Sequence, residues 1–293
     1  MAVLDSTVAV PIEAEASVPA MRRPSLGLVF WFAVGWITLI LVLALAADIL
    51  PLADPIRQSL LSRRAPPSFA HWLGTDLLGR DMLSRVIYGA RASLAVGLLA
   101  PLIGTLVGGF FGILAGYFRG AFETFTSGVS DVLLAFPPLV LALAIVGYLG
   151  QSVSNLIFVL AVLTVPGVLR VARAATLTIR EREFVTAARA LGASHARILW
   201  REILPNVVLP IGAFFLVLVG IIIVAEGILS FLGLGVPPPT PSWGSTIAEG
   251  RNALDEAPHI AFIPATAMFL TVLAFNLVGD TLRSITDPRR NAP

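Results

Sequence analysis

Between Asp131 and Arg170 the chain runs for 38 residues without a charged side chain. As one helix this run would be about 57 Å long at a rise of about 1.5 Å per residue. That is nearly twice the ~30 Å hydrocarbon core of a bilayer, so the run must fold back on itself. The segment "GYLGQSVSN" at 147–155 supplies the turn and predicts spans near 129–149 and 154–172. Four further apolar runs of spanning length lie near 26–48, 92–118, 207–227 and 258–280. Composition agrees: 57% of residues are hydrophobic and only 13% charged, where a soluble domain carries about a quarter. The expectation is an all-α polytopic membrane protein with six transmembrane helices over residues 26–293. Residues 1–25 mix small, acidic and proline residues, lack the basic start of a secretory signal and read as a disordered cytoplasmic tail.

Arginine placement orients the spans. With the N-terminus inside, the inner segments hold 13 arginines and the outer segments 7. Both termini are therefore expected on the cytoplasmic side, and the basic stretch at 178–206 with them. The 51–91 loop is more basic than the rule favours.

Several chemistries are excluded. The chain has no cysteine, so thiol nucleophiles and thiolate metal sites are out. Its three histidines, His71, His195 and His259, are scattered. A formal net charge of +2 gives nucleic acid little to hold. All 20 basic residues are arginine, and a nucleotide-binding P-loop needs a lysine on the phosphates. No metal or cofactor is expected in this chain.

The stretch "EFVTAARALGASHARILWREILPN" at 183–206 is too charged to span and too patterned for a slack linker. Phe184, Ala187, Ala188 and Leu191 fall on one helical face. Gly192 suits a left-handed helix end, Ser194 a following N-cap, and Pro205 a helix stop or a new start. The predicted unit is helix, glycine turn, helix: a knob fixed to two spans. A loop resting on the headgroups is the plainer alternative.

Other features invite weaker readings. Gly104, Gly108, Gly112 and Gly116 are spaced by four and favour close helix packing, within the subunit first and at a subunit interface or gate second. Asp76, Arg80 and Asp81 in "LGTDLLGRD" read as local ion pairing, with external docking or substrate lining as the rival. Glu226 sits near the outer boundary of span five, where an ionisable group is either functional or a buried structural partner. The following "GILSFLGLG" is too short to span and is expected to dip back into the membrane.

"TAARALGASHARILWREILPN" resembles the EAA signature of ABC importer permeases. Three longer stretches resemble the second, C-type subunit of the dipeptide/oligopeptide/nickel permeases: "HWLGTDLLGRDMLSRVIYGARASLAVG" at 71–97, "ILSFLGLGVPPPTPSWGSTIAEGR" at 228–251 and "FNLVGDTLRSITDPR" at 275–289. The resemblance implies that 178–206 docks into an ATPase subunit, through Glu183, Phe184, Ala187, Ala188, Leu191, Gly192, Leu204 and Pro205. Thr186 stands where the signature has glutamate, and Glu183 lies one turn earlier. The implied partners are a homologous permease forming a heterodimer, two ATP-binding cassette subunits carrying ATP and Mg, an extracytoplasmic substrate-binding protein and the lipid of a bacterial inner membrane. Di- or oligopeptides are the implied cargo, with nickel, glutathione or another small solute as alternatives. An ion-coupled carrier would show intramembrane charge pairs in two related halves. A non-transporting scaffold is the reading from a different class.

Overall fold

The computed structural model describes residues 27–286, and the expected tail at 1–25 lies outside them. The regular secondary structure of the described residues is helical, apart from one isolated antiparallel bridge between Thr75 and Asp81. Five helical stretches among the described residues are long and apolar enough to cross a membrane, and a bent helix pair is long and apolar enough to add a sixth if it is one span.

The first helix, α1 (Leu28–Ala46), buries only Ala33, Ile40 and Ala44. Its other side chains, with Leu28, Trp31 and Phe32 well exposed, suit hydrocarbon. The Trp36 indole N–H donates to the Thr271 hydroxyl at 3.0 Å and ties α1 to the last helix. The second, α2 (Met82–Phe118), has 37 residues and begins ten residues before the expected 92. Its first turns carry Arg85 and Arg91, which the count of uncharged residues left outside the span.

The expected single span at 129–149 is instead two helices, α3 (Gly120–Leu134) and α4 (Pro138–Leu149), meeting at 86°. "FPP" at 136–138 explains the break: prolines donate no N–H and push the preceding residue out of helical geometry. Next, α5 (Val153–Arg180) overruns the expected 154–172 at its C-terminal end. Two short helices follow, α6 (Glu183–Ala190) and α7 (His195–Ile198). A five-residue π turn, Leu199–Ile203, joins α7 to α8 (Leu204–Phe231). The second helix of the knob is thus continuous with span five, as one 37-residue stretch, His195–Phe231. Pro205 stands in the first turn of α8, directly after the π turn, and does not stop the helix. The last elements are α9 (Trp243–Gly250), held against α8 and α10, and α10 (His259–Thr286) itself.

The glycine stripe packs within the subunit. A Cβ on Gly108 would meet the Val165 carbonyl oxygen at 2.6 Å, on Gly112 the Leu169 oxygen at 2.5 Å, and on Gly116 the Arg173 oxygen at 2.8 Å. Gly104 faces Thr164 and Ala161 in the same way. Each step of four along α2 is matched by a step of four along α5, so the two backbones run side by side in one direction.

Candidate coupling surface and the opposite pole

α2 links the two ends of the bundle. Its last turn meets the knob, where the Tyr117 hydroxyl and His195 Nδ1 lie 2.8 Å apart. Its first turn meets α9 through Arg85, and Arg80, just before the helix, reaches the same α9 residue.

The knob is anchored by an apolar underside. Val185, Ile198, Ile203 and Val207 are buried with Tyr117, Val168 and Ala172. Between α6 and α7, Gly192 takes φ +79°. Its N–H donates to the Arg189 carbonyl, and the Ala193 N–H donates to the Ala188 carbonyl, both at 3.0 Å. This is the paired bonding of a left-handed helix end. A Cβ at Gly192 would meet nothing within 4 Å, so the demand for glycine is conformational rather than spatial. The Ser194 hydroxyl then accepts from the Arg197 N–H at 3.4 Å, opening α7.

The outward surface of the knob is unusually apolar for a segment outside the spans. Leu191 is 89% exposed, Trp200 71% and Phe184 43%. Ala187 is exposed beside them, whereas Ala188 is half-buried and packs inward. The four-residue face expected from periodicity therefore divides: Phe184, Ala187 and Leu191 look out, and Ala188 supports them. Glu183 is exposed in the first turn of α6, where a carboxylate suits the helix dipole. Leu204 is half-buried at the start of α8, and Pro205 is exposed. Trp200 lies within the segment but carried no sequence signal separating it from a membrane-facing residue.

At the opposite pole Asp76, Arg80 and Asp81 are all buried and paired internally. Asp76 accepts from the backbone N–H of Leu78 at 2.8 Å and of Arg80 at 2.9 Å, and from Arg80 Nε at 2.5 Å. Asp81 caps α2 by accepting from the Ser84 N–H at 2.9 Å, and it contacts His71 Nδ1 at 2.9 Å. Arg80 and Arg85 converge on Glu249 of α9, at 2.6 and 3.1 Å. Sequence reasoning missed Arg85 and Glu249, because 164 positions separate them and nothing local marks the pairing.

Glu226 is fully buried near the end of α8. It accepts from the hydroxyls of Ser230 at 2.7 Å, Ser242 at 2.9 Å and Ser93 at 3.3 Å. The backbone N–H groups of Trp243 and Ser245 donate to Ser93 and Ser242 respectively. Those two hydroxyls are thereby left to donate to the carboxylate. No cationic group among the described residues pairs with it. The carboxylate clasps the start of α9 to α2 and α8. Glu226→Leu should therefore strand three hydroxyls, at about 1–3 kcal/mol for each buried group left unpaired. The expected result is a clearly lowered melting midpoint in detergent, with Glu226→Gln intermediate. A leucine variant that melts with the parent would remove the clasp.

The chain belongs to the family described as binding-protein-dependent transport system inner membrane component, whose model matches residues 108–292. It is thus a permease of an ABC transport system and not itself an enzyme. Over 223 residues it is 44% identical to the glutathione transport system permease protein GsiD of Pectobacterium atrosepticum, covering 76% of this chain and 74% of that protein. The protein of the same name from Escherichia coli O1:K1 / APEC is 47% identical over the same coverage. Among solved structures, a chain of the inward-facing MetNI methionine ABC transporter superposes with TM-score 0.59 at 18% identity, over 70% of this chain and 98% of that one. An amino acid ABC transporter gives 0.54 at 20% identity, over 69% and 94%. At those identities the likeness shows a shared fold.

Proposed function

We propose that this chain forms a translocation path with a homologous permease and takes up short peptides, driven by two ATPase subunits docked on the knob. Both termini then face the cytoplasm of a bacterial inner membrane, and an external binding protein delivers cargo to the α9 pole. The observation that carries the coupling role is the bare apolar surface of Phe184 and Leu191 on a rigid turn beyond the spans, with Trp200 exposed where α7 runs into span five. Solvent alone gives such a patch no reason to exist. The cargo class rests on the relatives: they are named for glutathione, itself a tripeptide, which makes glutathione the first short peptide to try.

The test is ATP-dependent uptake of labelled glutathione and di- and tripeptides into proteoliposomes holding the chain with its genetically neighbouring partners. Uptake of nickel or another solute in their place would replace the peptide reading. A complex that moves nothing would favour the scaffold. ATP and Mg belong to the partner subunits in this scheme, since a chain without lysine lacks the phosphate-binding side chain of a P-loop. The isolated chain should therefore hydrolyse no ATP above a mock preparation. Stoichiometric turnover by it alone would overturn that division of labour.

A further inference from the structure

A cavity of about 470 Å³ opens at the α9 pole, between the 232–241 loop, α9 and the turn before α5. That volume suits a small ligand. Arg80, Arg85, Glu249 and Arg251 line it, with Phe231 and Gln151. The charges do not balance. Glu249 in the wall and Asp76 behind it face three guanidinium groups, and both carboxylates are engaged by Arg80 and Arg85. Arg251 has no carboxylate within pairing distance among the described residues. It lies exposed with its guanidinium carbon 4.8 Å from the Phe231 ring centroid. Arg85 is 1% exposed, yet its Nε and Nη1 have no hydrogen-bond partner. Its Nε is 3.2 Å from Asp76, near enough for attraction but misaligned for a bond. A buried guanidinium with spare donors thus lines the same cavity as an exposed one without a counter-charge, and the surplus positive charge suits an anionic group.

We infer that this cavity receives the C-terminal carboxylate of the transported peptide, held by Arg251 at the rim with the Arg80–Arg85 pair behind it. The inference rests on the peptide reading above and adds a point of selection on the permease itself. Arg251 is exposed at the rim, so it meets the carboxylate first. Phe231 offers an apolar wall to the adjoining residue. Glu249 already serves the two inner arginines as a carboxylate from within the chain, which shows the geometry they accept.

The experiment uses the permease–ATPase complex in nanodiscs, without the external binding protein. Equilibrium dialysis compares glutathione and trialanine with the same peptides amidated at the C-terminus. The free acids should bind roughly tenfold more tightly or better, the scale of a lost charge-assisted hydrogen bond. Arg251→Gln should erase that preference, and Arg251→Lys should restore part of it. Equal binding of acid and amide, no saturable binding, or a preference that survives Arg251→Gln would each overturn the site. Loss of binding-protein docking in Arg251→Gln, with no peptide bound by the parent, would assign the missing carboxylate to that protein and also overturn it. Uptake by the parent separates the two levels. Peptide import without carboxylate discrimination rejects the cavity alone, whereas absent peptide import rejects the cargo reading.

Discussion

Gly192→Val should yield normal amounts of membrane-inserted chain that no longer retains ATPase subunits on purification. The residue sits at φ +79° with open space around its absent Cβ. Valine fits the space but not the backbone angle, and positive φ is worst for β-branched residues. The turn must relax, and α6 then swings relative to α7 and carries Phe184 and Leu191 out of position. Gly192→Asn supplies the control, because asparagine visits the left-handed region at modest cost and should keep most of the coupling. Leu191→Arg reaches the same loss differently, placing a charge at the centre of the apolar contact. Arg197→Ala, on an exposed residue held only through its backbone N–H, should change little. Co-purification of ATPase subunits and substrate-stimulated hydrolysis read all four variants. Parental behaviour by both Gly192→Val and Leu191→Arg would make the knob a passive loop.

Gly112→Leu should prevent accumulation of folded protein altogether. Even a methyl group there would sit 2.5 Å from the Leu169 carbonyl oxygen and 2.8 Å from Ala172 Cβ. A carbonyl in a helix cannot rotate aside as a side chain can, so α2 and α5 must part. Overpacking of this kind costs about 1–3 kcal/mol for modest insertions, and four added carbons along a shared seam exceed that case. Gly108→Leu should behave alike. Gly109→Ala is the matched control, since a Cβ there meets nothing within 4 Å. Yield of monodisperse protein after detergent extraction distinguishes them. Equal yields for Gly108→Leu, Gly112→Leu and Gly109→Ala would show that the stripe is not the seam it forms here.

Much of the architecture was legible because the bilayer imposes a length on any apolar run. Six crossings follow from where charges stop, and the fold-back at 147–155 follows from a run too long for one crossing. Hydropathy carries no direction, so it could not reveal that the third crossing turns through 86°, although the two prolines were in plain view. It also ended span two at Arg91, because a hydropathy count stops at the first charge. In fact Arg91 bonds Asp48 and the Ala44 carbonyl, and the helix runs on past it to Met82. The Gly192 turn was legible because its chemistry is local. Periodicity placed Ala188 on one face with Phe184, Ala187 and Leu191, yet Ala188 packs into the buried cluster beneath the knob, and only packing decides that. Glu226 was visible as an anomaly, but its three serines come from three separate places in the chain.

The two 37-residue stretches, Met82–Phe118 and His195–Phe231, are fastened to each other twice. Tyr117 meets His195 at one end, and Ser93 meets Glu226 toward the other. Two long struts cross-braced in this way resist shearing past each other and respond to a push at one end by tilting as a frame. Each strut is about 55 Å long at ~1.5 Å per residue. A rotation of about 5° about the knob end would therefore carry the far end by about 5 Å, on the order of one helical turn's rise. Leverage of that size would turn a small adjustment at the knob end into a molecule-sized displacement at the α9 pole.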